Sequence, residues 1–60
     1  MSSSFVVVAE DEGGWVVVAK VYDASTKRYS TVKSKPIADR NAAVANGREM
    51  ALENNWQFIS

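Results

Sequence analysis

Two valine runs, Phe5-Val6-Val7-Val8-Ala9 and Trp15-Val16-Val17-Val18-Ala19, flank an acidic segment that ends in paired glycines, Glu10-Asp11-Glu12-Gly13-Gly14. Aromatic and β-branched residues in runs of this length predict strands. The glycines predict a hairpin between them, because they supply the positive φ that tight turns require. The first strand is expected over about Phe5–Glu10 and the second over Trp15–Asp23. Ala24-Ser25-Thr26-Lys27 reads as a second turn and Arg28–Lys33 as a third strand, which completes an antiparallel meander. A strand with one wet face alternates apolar and polar residues. The valine runs do not alternate, so both faces of the sheet are expected to need cover.

Beyond the third strand the period changes. Ser34-Lys35-Pro36 breaks the strand pattern; proline suits a helix's first turn, and Ser34 or Asp39 suits an N-cap. From about Ile37 or Asp39 to Asn54 the chain is rich in good helix formers. Asn46-Gly47 is the one point where this helix could divide. The same stripe resumes after it, which predicts one continuous helix. At 100° per residue Ala43, Val44, Gly47, Met50 and Ala51 share one side, and Ala42, Asn46, Glu49 and Glu53 lie opposite. Small residues around a glycine predict a close approach to the sheet, with a ring such as Trp15 or Phe5 filling the gap. Leu52 falls on a flank, where it is either the rim of the core or an exposed contact for a second copy. Asn54-Asn55 ends the helix, and Trp56-Gln57-Phe58-Ile59 either adds a short fourth strand or folds back over the core. The expected fold class is α+β: a three-stranded antiparallel meander with one C-terminal helix packed on one face. It forms a single small domain over 1–60, with 1–4 a frayed leader.

Alternation along the second strand separates its faces. Trp15, Val17, Ala19 and Val21 form a wholly apolar set suited to the helix side. Val16, Val18, Lys20 and Tyr22 form the other set. Pairing Asp23 with Arg28 places Tyr22 opposite Tyr29 and Lys20 opposite Thr31, joined on that outer face by Val6 and Val8 or by their neighbours. One helix covers one face of such a sheet, so the outer face holds more apolar area than isolated exposed residues explain. A tail in which Trp56, Phe58 and Ile59 wrap round to this side would remove the surplus.

Composition narrows the function. Sixty residues make a domain of marginal stability, burying roughly 60% of its unfolded surface. Cysteine and histidine are both absent, which removes disulfides, thiolate nucleophiles and the commonest metal ligand and general base. Glu10-Asp11-Glu12 lacks the ligand spacing of a calcium loop. Ser34 between Lys33 and Lys35 lies on a connector that orients no base, and no phosphate-cradling glycine loop occurs. The chain therefore reads as a non-enzyme with no metal and no cofactor. No stretch is long and apolar enough to span a bilayer, and the first residues lack the basic start of an export signal. A cytoplasmic location is expected.

Seven basic residues balance seven acidic ones, whereas dedicated nucleic-acid binders carry a basic excess. The charges are segregated, however. Lys27, Arg28, Lys33, Lys35 and Arg40 occupy the middle, between Glu10, Asp11 and Glu12 before them and Glu49 and Glu53 after. The run Trp15–Asp23 followed by Lys27-Arg28-Tyr29 and an alanine-rich helix resembles, in layout, the plant-type AP2 DNA-binding domain and the arm-site domains of phage integrases. That resemblance implies a sheet face docked in the major groove, read by Lys20, Tyr22, Arg28 and Tyr29. Val16 and Val18 depart from it, standing where such a face carries polar or basic groups. The leading expectation is a non-catalytic protein-binding module acting through the outer face, as a homodimer or on another protein. In size and composition it is similar to small phage inhibitors of host machinery, anti-CRISPR proteins among them. Val16, Val18, Lys20, Tyr22, Tyr29 and Trp56 are the candidate contact residues, the aromatic ones as anchors. DNA binding by the sheet is the alternative.

Overall fold

Gly14 fixes the first hairpin. A computed structural model describes residues 3–59, and in it β1 (Phe5–Asp11) turns through Glu12 and Gly13 into β2 (Gly14–Asp23). Gly14 has φ +131°, and a Cβ there would collide with the Ile37 carbonyl oxygen. Only glycine fits both constraints. The second turn is built by Asp23. Its carboxylate accepts the Ser25 hydroxyl at 2.7 Å and the Ser25 N–H at 3.0 Å, while its carbonyl accepts the Lys27 N–H at 2.7 Å. β3 (Arg28–Lys33) follows, paired with β2 in the register Asp23↔Arg28, Tyr22↔Tyr29, Lys20↔Thr31. The meander and this register are as the alternation requires.

Ser34, Pro36 and Ile37 behave differently from the sequence expectation. Ser34 does not cap the helix; its Oγ accepts the Val17 N–H at 2.9 Å and donates to the Lys35 carbonyl. Pro36 lies outside the helix. Ile37 bridges to Trp15 through two backbone bonds of 2.8 Å, extending the β2 pairing past β3. Of the two capping candidates it is Asp39 that caps, accepting the Asn41 N–H at 3.1 Å, and the helix α1 (Arg40–Asn54) begins directly after it. It runs unbroken through Gly47. Asn55 in the left-handed conformation ends it, with its own N–H on Leu52 O and the Trp56 N–H on Ala51 O at 2.8 Å. This is the reciprocal arrangement of a Schellman cap.

The tail then enters the sheet. β4 (Gln57–Ile59) runs parallel to β1, giving a four-stranded mixed sheet in the order β3-β2-β1-β4. Ser4, expected to fray with the leader, is instead buried. Its Oγ accepts the Tyr22 N–H and its carbonyl accepts the Gln57 N–H, so it joins β1 to strands on both sides. Met1 and Ser2 lie outside the described residues.

The core sits between sheet and helix. Val6, Val17, Ala19, Ala43 and Ala51 are buried there, with Val8, Trp15, Val21, Ile37, Met50, Trp56 and Phe58 packed around them. Gly47 permits the close approach, but the ring that fills the gap is Phe58 rather than Trp15 or Phe5. A Cβ on Gly47 would sit 2.8 Å from Phe58 Cε1. α1 packs on β1, β2 and β4 and does not reach β3. The molecule is a slab 36 × 21 × 14 Å in Cα extent. Its thin dimension holds one sheet layer and one helix layer.

Candidate binding surface

The face of the sheet turned away from α1 is laid out in cross-strand rows. Lys33, Val18, Val7 and Ile59 are in register across all four strands; Thr31, Lys20, Phe5 and Gln57 form the next row, and Tyr29 and Tyr22 the next. Ala9 and Val16 pair at the hairpin end. On β1 it is therefore Phe5, Val7 and Ala9 that face outward, while Val6 and Val8 belong to the core. The described residues of the tail do not cover this side. Trp56 and Phe58 turn to the helix, whereas Gln57 and Ile59 widen the outer face by one strand.

The side chains on this face do not stand at equal height. Val16 and Val18, only 5% and 9% exposed, are recessed. They are short side chains on a central strand, walled in by cross-strand neighbours. The groups that project are longer. The Tyr22 and Tyr29 rings meet at 5.1 Å between centroids with their planes tilted by 58°, within the range at which aromatic pairs attract. Lys20 Nζ donates to Thr31 Oγ1 at 2.7 Å. Phe5, Lys20 and Tyr29 line a shallow hollow of about 280 Å³. The outer face is thus a floor of valine beneath an aromatic and basic upper layer.

β3 is the most open part of the sheet. All six of its residues are exposed on both faces. Tyr29 on the outer side and Val32 on the helix side are each 53% exposed, because α1 stops short of this strand. Basic groups gather here: Arg28 and Lys33 end the strand, Lys27 and Lys35 flank it, and Lys20 crosses to it from β2. The carboxylate opposite Arg28 is Asp23, which the Ser25 hydroxyl and N–H hold below its ordinary pKa of 3.8. Glu10, Asp11 and Glu12 lie at the β1–β2 hairpin, whose Gly13 stands against Pro36 just beyond the Lys33 end of β3, and Asp11 Oδ1 accepts the Glu12 N–H as a turn residue.

Of the six candidate contact residues, Val16, Val18, Lys20, Tyr22 and Tyr29 share this face. Trp56 is on the other side, partly buried against the core. There it lines a second hollow of about 320 Å³ with Arg48, Ala51, Leu52 and Phe58. Leu52 on its rim is 83% exposed. The Arg48 guanidinium lies 5.7 Å from the Phe58 ring centroid, and Arg40 stands at the same distance over Trp15, so both helix arginines are engaged on the helix side. Lys33, Gln57 and Ile59 on the outer face escaped sequence reasoning. Lys33 was within reach, since alternation from Tyr29 through Thr31 leads to it.

Among the described residues no group of three or more acidic side chains is placed to hold a metal ion, and no helix is long and apolar enough to cross a membrane. The chain matches no protein-family model, no curated protein and no solved structure.

Proposed function

We propose that this chain is a non-catalytic binding module that holds a protein partner on the open side of its sheet, around β3. The observation that carries this reading is the reach of α1. It covers β1, β2 and β4 and leaves β3 bare on both faces, with Tyr29 and Val32 each half in solvent. Tyrosine gives large contact area at low entropic cost and is enriched among interface hot spots. A different protein is favoured over a second copy, because two copies joined through β3 would bring two basic strands together. Such a module works by occupancy, as an inhibitor or adaptor does.

Immobilised chain should retain a discrete protein from lysate, and Tyr29→Ala or Tyr22→Ala should release it while the variants keep the wild-type melting curve. Retention of the same proteins by wild type and both variants, or of none, would overturn the reading.

One observation favours nucleic acid as a second reading. With Val16 and Val18 recessed, the groups presented outward are Lys20, Tyr22, Tyr29, Thr31 and Lys33, a mixture of cations and stackable rings. Binding to DNA that falls steeply with salt and is lost in Lys20→Ala would support it.

A further inference from the structure

We propose that the free edge of β3 is a strand-addition site for an extended acidic segment of the partner protein. This rests on the reading of the sheet as a protein-binding surface and says how that surface is used.

The backbone directions come from the hydrogen bonds around β2. Antiparallel pairs alternate between residues that bond each other and residues whose N–H and C=O point away. Ser34 donates its N–H to Val17 O at 2.9 Å. In the same register Val32 faces Ala19 and Ser30 faces Val21, so these are the bonded pairs. Tyr29, Thr31 and Lys33 therefore turn their backbone groups to the outside of the sheet. Those three residues offer a ladder long enough to seat a strand. The opposite edge offers far less: β4 is three residues long, and Gln57 already donates its N–H to Ser4 O.

An edge of this kind is a template for any extended chain, and natural proteins blunt such edges with charge. Here the charge along the strand itself is basic. Lys20, Lys27, Arg28, Lys33 and Lys35 surround it, with Asp23 at its start held in the turn by Ser25 and the acidic β1–β2 hairpin beyond its other end, against Pro36. The same cations that repel a second copy of β3 attract a strand bearing carboxylates, so selection against self and for the partner comes from one set of groups. Side chains of an added strand alternate between the two faces. Those on the outer side would meet Tyr29, Thr31 and Lys33, and suit glutamate or aspartate. Those on the helix side would lie beside Val32, and suit a small apolar residue.

The test uses the full chain, labelled for amide-resolved NMR, and a synthetic peptide of about eight residues, a usual strand length, that alternates glutamate with valine. On its addition the Tyr29, Thr31 and Lys33 amides should exchange at least about tenfold more slowly, and raised salt should weaken the effect. Thr31→Pro should abolish it. Proline is tolerated on an edge where the N–H faces solvent, and a melting curve checks that this variant folds. Joint Arg28→Glu and Lys33→Glu reversal, which spares the backbone, should weaken binding at least about tenfold. Unchanged exchange at those three amides would overturn the proposal, as would equal protection by a lysine–valine peptide. Shifts confined to the outer face, produced by an oligothymidine strand and not by the peptide, would overturn it in favour of nucleic acid. A lysate partner that binds while the three amides stay unprotected would remove strand addition and leave the protein-binding role standing.

Discussion

β1 and β3 are both neighbours of β2, both antiparallel to it, and both joined to it by a tight turn. They end in opposite environments. The first half of β1 is enclosed on its core side: α1 lies over it, β4 pairs its far side at Phe5–Val7, and Val6 is fully buried. Among the described residues β3 has one neighbouring strand and no helix over either face. Pairing with a central strand therefore does not decide whether a strand contributes to stability in this chain. The position of the helix decides it, and the helix is positioned by Gly47 and Phe58. Phe58 occupies the space that a side chain at position 47 would need, drawing α1 toward the β1–β4 side of the sheet.

The largest test of this contrast is Phe58→Ala. It removes the ring that meets Gly47 and packs beside the core, and a loss of about 3 kcal/mol is expected, read by chemical denaturation. A loss under about 1 kcal/mol would mean that the tail does not anchor the helix. Next comes a matched pair. Val6→Ala on β1 should cost about 2 kcal/mol, while Val32→Ala on β3 should stay within about 0.5 kcal/mol. Similar costs at the two sites would erase the distinction between the strands. The smallest effect concerns pH. The Asp23 carboxyl is held below its ordinary value by Ser25, so its contribution is fully present above pH 3.8 and fades as pH falls through the lower folded value. Loosening of the β2–β3 turn in acid, seen as loss of the Tyr22–Tyr29 ring contact, should be absent in Asp23→Asn, in which that titration is removed.

Local patterning carried much of this fold. The Asp23–Arg28 pairing across a four-residue turn was legible because the turn residues are small and polar and the alternation on either side agrees. It brought Tyr22 to Tyr29 and Lys20 to Thr31. The continuous helix was legible from the stripe on both sides of Gly47. The first strand resisted: three consecutive valines look alike from either face, and Val6 and Val8 turn inward because the hairpin register sets them opposite Ala19 and Val17. The recessing of Val16 and Val18 is likewise a matter of neighbour height, which a linear pattern does not contain. Trp56 lies on the helix side because its direction follows from the left-handed turn at Asn55, a geometry that Asn54-Asn55 permits without specifying. Ser34 and Pro36 follow the same rule. Each has a good local use at a helix start, and each is engaged instead by the long-range pairing beside β2.

The edge of β3 should be bare in the isolated chain, and amide hydrogen exchange on a dilute sample reads that most directly. The Ser30 and Val32 amides, bonded to β2, should exchange slowly, while those of Tyr29, Thr31 and Lys33 should exchange at rates close to an unstructured peptide. Protection of all five alike, persisting on dilution, would show that the chain already covers this edge and would contradict the account.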